Sequence, residues 1–250
     1  IYANNSSNST GDLTITANDV VSDSVGIYAD NDGSGALKIE VSGTVNTSSG
    51  LASDEIRSSG AKTAAGIYAN NAATGTDLSI EAADITAESY GIYANNNGTG
   101  DLHVTTTGVV QTDSAAYGIM AFIGEETSTA DVVIHVNTVI GSEVADGGGI
   151  YASNRGAGDI DITANGNIVN NSDSNTGIFA TNWQQDGGAV GGIRIEATNV
   201  TGGWGIYSRN YGTDALSITS SGTVTGTAGI GIDARSYGVG AAGDEDLAGN

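Results

Sequence analysis

Apolar residues recur along the chain in short alternating runs. Ile27 and Ala29, Leu37 and Ile39, and Leu78 and Ile80 each stand two residues apart. A period of two is strand behaviour, because successive side chains of a strand point to opposite faces. No useful length repeats at i, i+3, i+4 and i+7, so the pattern predicts an all-β chain without helices. Asn-Asn, Gly-Thr-Gly and Ser-Gly segments separate the runs and predict turns.

The runs themselves repeat. Gly-Ile-Tyr-Ala or a close variant begins at Gly26, Gly66, Gly91, Gly118, Gly149, Gly177, Gly205 and Gly231, and a truncated copy opens the chain at Ile1. Successive glycines are 40, 25, 27, 31, 28, 28 and 26 residues apart, which leaves a unit of 25 to 28 residues with two insertions. After each motif comes an alternating pair such as Leu102 and Val104, then a third apolar point such as Val45, Ile85 or Val109. One unit has too few apolar side chains to bury them alone, so copies must stack and share a core. The expected fold is a parallel β-helix, a solenoid of about nine rungs with three short strands per rung. It forms one unit over residues 1–250, with an inserted loop at 46–63. At a strand spacing of about 4.8 Å the rod is on the order of 40 Å long. A start in mid-motif predicts a piece of a longer chain.

Within Ile27-Tyr28-Ala29, the large Ile and small Ala share one parity and are expected inside a narrow core, with Tyr28 outside. Glycine is expected to supply positive-φ corners. The lack of proline fits strands flanked on both edges, which need every backbone N–H.

Composition narrows the chemistry. There are 39 Gly, no Pro, no Cys, and 7 basic against 29 acidic residues, for a net charge of −22. That removes a basic nucleic-acid face, a cysteine-built metal site and a disulfide framework, so no nucleic-acid partner is expected. No apolar run approaches the roughly 18 residues of a membrane-spanning helix, and no membrane insertion of this segment is expected.

Stacking turns sequence register into columns. The tyrosine column contains Tyr28, Tyr68, Tyr93 and Tyr151. It reads either as a binding platform for a glycan or receptor, or as a stack that holds register. Asparagines such as Asn31, Asn71 and Asn96 are placed to hydrogen-bond up and down the rod. Asp77, Asp101, Asp131 and Asp159 precede the second strand in consecutive rungs and are weak calcium candidates, against a solvated acidic stripe. The nonapeptide calcium pattern is absent, and no metal or other cofactor is expected. His103 and His135 face outward without further ligands in register. Arg155, Arg209 and Arg235 approach one another in column, but no nucleophile and base assemble, so no catalytic residue is assigned. Loops on a rigid scaffold carry function. Departures from the repeat therefore add Arg57 and Lys62 in 46–63, Phe122 in 120–129 and Trp183 in 181–191 as binding candidates.

Units of the form Gly-Ile-Tyr-Ala-Asn-Asn, Gly-Thr-Gly-Asp-Leu and Gly-Thr-Val resemble passenger domains of bacterial autotransporters, the type V secreted proteins. The likeness covers nearly the whole chain, and its motifs specify a scaffold and not an activity. It implies a right-handed, single-stranded parallel β-helix. It further implies export across the outer membrane of a Gram-negative bacterium by a C-terminal β-barrel translocator in the full-length chain, and a secreted or cell-surface location. The Gly-Asp-Ser-Gly motif of the proteolytic branch is absent. The expected role is non-enzymatic contact with a host cell-surface protein or glycan, as an adhesin or host-receptor ligand in virulence. The alternatives are a polysaccharide-degrading β-helix enzyme and a structural stalk that presents a tip domain.

Overall fold

Alternation makes each segment a strand, and the repeat decides which strands pair. The computed structural model describes residues 1–48, 65–113, 116–142, 147–183 and 191–238. Every helical or extended element among them is a β-strand. Nine strands form a first sheet in chain order, all parallel. They define rungs 1 to 9: Tyr2–Asn5, Ile27–Asn31, Ile67–Asn71, Ile92–Asn96, Ile119–Ile123, Ile150–Asn154, Thr176–Asn182, Trp204–Asn210 and Ile232–Ser236. Equal repeat positions pair, Ile27 with Ile67 and Ile67 with Ile92. The fold is the expected parallel β-solenoid.

A second parallel sheet corrects the expected three strands per rung. In rungs 2 to 7 the second and third segments fuse into one strand, such as Leu37–Thr47 or Leu78–Ala87, with a register shift in the middle. They separate only in rung 1, as Leu13–Ala17 and Val20–Ser22, and in rung 8, as Leu216–Ser220 and Val224–Gly226. Rung 9 contributes only its first-sheet strand among the described residues. Rungs 1 to 8 have strands in both sheets, and from the first of them to the last the coil makes about seven turns, slightly fewer than the nine full rungs expected.

The fused strands alternate in length. Leu37–Thr47, Leu102–Thr112 and Ile160–Asn170 have 11 residues, whereas Leu78–Ala87, Val132–Gly141 and Ile193–Gly202 have 10. The extra residue of even rungs is a bulge containing a glycine. In the odd rung beside it an Asx or Thr side chain faces that bulge. Asp19 Oδ1 accepts the Thr44 N–H at 2.8 Å, Asp84 Oδ1 the Val109 N–H at 2.7 Å, and Asn199 Oδ1 the Thr223 N–H at 2.9 Å. A Cβ on Gly43 or Gly108 would collide with the facing carboxylate. Two rungs, and not one, are the structural repeat.

One apolar cluster runs through the rod, with Ile27, Ala29, Leu37, Ile39 and Val45 and their equivalents in rungs 3 to 7 fully buried or nearly so, and several of those of the end rungs only partly covered. The motif glycine serves that core differently from expectation. A Cβ on Gly66 would lie 2.5 Å from Ile85 of its own rung and 2.6 Å from the Gly91 carbonyl of the next. Among the described glycines only Gly238 has a positive φ, 67°. Space at the closing corner, and not handedness of the backbone, selects glycine there.

The inserted segments also start later than expected. Asn46 and Thr47 are sheet residues paired with Val21 and Ser22. Met120 to Ile123 pair with Tyr93 to Asn96, and Thr181 and Asn182 pair with Ser153 and Asn154. Arg57 and Lys62 lie outside the described residues.

Candidate functional site

The first sheet places one side chain per rung outward at the tyrosine position, and the rings stack. Tyr2, Tyr28, Tyr68 and Tyr93 lie face to face with centroids 5.0, 4.9 and 4.9 Å apart and planes within 7°. Met120 takes the position in rung 5 and ends this stack. Phe122, two residues further on, meets Tyr93 edge to face at 5.4 Å. Tyr151, Phe179 and Tyr207 resume the stack at 5.0 and 5.3 Å. Ring faces are thus used by other rings. Tyr68 keeps only 8% of its surface, and its burial, then its neighbours Tyr93 and Tyr28, push its hydroxyl pKa up to about 12.

Trp183 begins a further stack that the tyrosine column does not contain. It packs on Tyr211 at 5.1 Å, and Tyr211 on Tyr237 at 4.7 Å. The signal was present: each of these rings directly follows the last residue of a first-sheet strand. Trp183 and Trp204 remain 39% exposed.

Polar columns do structural work. Asn5, Asn31, Asn71 and Asn96 close their strands on the inside, and each of the first three donates its amide to the next at 2.7–2.9 Å. Their second donations reach turn carbonyls, as from Asn31 to Gly35 and from Asn71 to Thr76. Ile123 breaks this column, and beyond it Asn154 donates to the Ala130 carbonyl.

The acidic column is exposed or half-exposed, as a solvated stripe would be, and its carboxylates also take backbone partners. Asp77 Oδ1 accepts the Asp101 N–H, Asp101 Oδ1 the Asp131 N–H, Asp131 Oδ1 the Asp159 N–H, and Asp159 Oδ1 the Gly192 N–H, at 2.6–2.9 Å. Each carboxylate holds the corner of the following rung. Burial raises the Asp131 pKa, opposed by the hydrogen bond from the Asp159 N–H. Among the described residues no three His, Asp or Glu side chains gather as metal ligands. His103 and His135 are two positions out of register, His103 facing Val133 and His135 facing Thr105.

Sequence reasoning missed the ion pair at the last rungs. Arg209 is buried to 6% exposure, with its guanidinium 3.7 Å from the Tyr207 ring centroid. It donates to Asp233 Oδ1 at 3.0 Å and Oδ2 at 2.7 Å. Asp233 occupies the tyrosine position of rung 9, so Tyr207, stacked on Phe179 and tilted against Trp204, meets the Arg209 cation where the column would have continued with a ring. These hydrogen bonds, with the charges of Arg209 and Arg235, hold the Asp233 pKa below the usual carboxylate range, against the effect of burial. Arg235 also contacts Asp233, but Arg155 is exposed and outside this cluster.

The bend of the second sheet forms an axial groove. A hollow of about 350 Å³ spans rungs 1 to 4, with Thr16, Glu40, Glu81 and Thr105 in register on one wall. Ser42, Ala83 and Thr107 form the other wall, and Val41 and Ala82 the floor. A second hollow of about 280 Å³ spans rungs 6 to 8 at the same register, with Thr163, Glu196 and Thr219 facing Asn165, Thr198 and Ser221. His135, paired with both Thr105 and Thr163, joins the two. Comparison with protein-family models, with curated proteins and with solved structures finds no match.

Proposed function

We propose that the chain is part of an extracellular passenger of the autotransporter type that acts without catalysis, by contact with host cells as an adhesin or receptor ligand. The observation that supports this reading is the row of aromatic side chains along the outside of the rod, with exposed Trp183 and Trp204 near one end. Aromatic residues are enriched at protein interfaces because they bring large rigid area at low entropic cost. The partner is a host cell-surface protein or glycan, and a C-terminal β-barrel in the full-length chain carries the passenger out. Binding of the purified chain to host cells should fall when Tyr93, Phe122 and Trp183 are changed singly to Ala, or Arg57 and Lys62 together. Undiminished binding in all four folded variants rejects these surfaces.

The mutual covering of ring faces favours a second reading, a structural stalk for a tip domain. It predicts that the chain alone binds no cell. For the enzyme reading, Glu40 and Glu81 stand in register in one hollow. A general acid at neutral pH needs its pKa raised, usually by burial. Lys38 pairs with Glu40 at 2.6 Å and Glu81 is exposed, an arrangement that suits binding better than proton donation.

A further inference from the structure

We infer that the groove along the bend of the second sheet binds a linear, neutral glycan that lies parallel to the rod. This inference is independent of the contact reading, because the groove residues are distinct from the aromatic row.

Three features select the ligand. The walls repeat one chemistry twice, Thr16-Glu40-Glu81-Thr105 and Thr163-Glu196-Thr219, each wall position one rung from the next. Sugar hydroxyls donate to carboxylates such as these, which only accept, and both donate to and accept from the wall hydroxyls. Open, shallow hollows at the same register on rungs 1 to 4 and 6 to 8 give this solvated face a concavity in which a chain can lie.

The spacing comes second. Wall positions recur at about 4.8 Å, one strand separation. A pyranose unit in an extended chain is close to that length, so successive sugars stay in phase with successive rungs. An extended peptide places same-face side chains about 6.6 Å apart and falls out of phase within a few residues.

Charge decides the remaining class. The net charge of −22 disfavours a polyanionic glycan. Of the three wall glutamates, Glu40 is paired with Lys38, and Glu196 with Arg194, which also bonds Asp161. Among the described residues Glu81 has no ion pair of this kind, though Lys38 feels its charge, so the charge within the walls is largely matched locally. The net charge of −22 still attracts polycations, and the basic peptide in the test measures that.

The test is calorimetric titration of the folded chain with neutral linear β-1,4-linked hexasaccharides of glucose, N-acetylglucosamine, mannose and xylose. Oligogalacturonate and a basic decapeptide serve as charged competitors. At least one neutral hexasaccharide is expected to bind saturably and more tightly than either charged probe. Glu81→Ala combined with Thr105→Ala should weaken it by about tenfold or more, as expected for losing hydrogen bonds to a charged and a neutral group. Ala83→Tyr, which fills the first hollow from the surface, should do the same, and Val21→Ser, at an exposed position outside both hollows, should leave binding unchanged. No saturable neutral ligand, tighter binding of a charged probe, or groove variants that bind as the parent does would each overturn the inference.

Discussion

At the residue scale, polar side chains in this rod act on the rung beside their own. Asn71 accepts from Asn31 and donates to Asn96 within the interior, and donates to the Thr76 carbonyl at its half-buried edge. Asn71→Ala should therefore cost more than one orphaned group at about 1–3 kcal/mol each. Asn70→Ala, on the outer parity, should cost far less. Urea denaturation of the two variants compares them, and equal losses would contradict an interior role. Tyr68 offers a titration. Its folded pKa of about 12 exceeds the ordinary 10.0, so its contribution is fully present below pH 10.0 and is lost as pH rises toward 12. Denaturation midpoints over alkaline pH should fall less steeply in Tyr68→Phe than in the parent; identical slopes would deny the burial of that hydroxyl. The asparagine column was legible from the sequence because it repeats at one motif offset. The role of Asp77 to Asp159 was not. A column of like charges looks the same whether it faces an ion, water or the amide of the following rung.

At the element scale, the two-rung module makes a parity prediction. Odd rungs present Asp, Asn or Thr at the bend, and the next even rung meets it with glycine. Removing residues 67–118, rungs 3 and 4 together, sets rung 2 against rung 5 and preserves the alternation. Removing 67–91, rung 3 alone, sets Gly43 of rung 2 against Gly108 of rung 4. The shorter deletion removes less core but should lower the thermal midpoint more. If it proves the milder change, the two-rung repeat has no energetic content. Strand existence and core parity were readable, since period-two alternation is local. The fusion of second and third segments was not, because Gly-Thr-Val marks a bulge within a strand and a turn between strands equally well.

For the whole molecule, strands pair only with those of adjacent rungs among the described residues, although the Thr227 to Asp173 hydrogen bond skips a rung, so stability is close to a sum of rung and interface contributions. Amide exchange should be slowest in rungs 4 to 6 and fastest in the end rungs; uniform protection would require all-or-none opening instead. The Arg209–Asp233 pair closes the described stack at its far end. Because the folded Asp233 pKa is lowered, its contribution is present above the ordinary 3.8 and is lost as pH falls through the lower folded value. Fluorescence of Trp204, near that pair, should change on acidification before the core melts, and Asp233→Asn should remove that early step. A single transition in parent and variant alike would rule out a separate end.

The sequence by itself determined that this chain coils. Alternation and a unit of 25 to 28 residues leave a stacked, shared core as the way to bury so few apolar groups per unit. Only tertiary structure decided what each outward or corner residue does. The partner of such a residue lies in most cases one coil away, 24 to 40 residues along the chain, as Asp77 lies from Asp101 and Asn31 from Asn71. Which residue arrives there depends on loop lengths and on the bulge at every second rung, quantities that act through packing and leave no local periodicity to read.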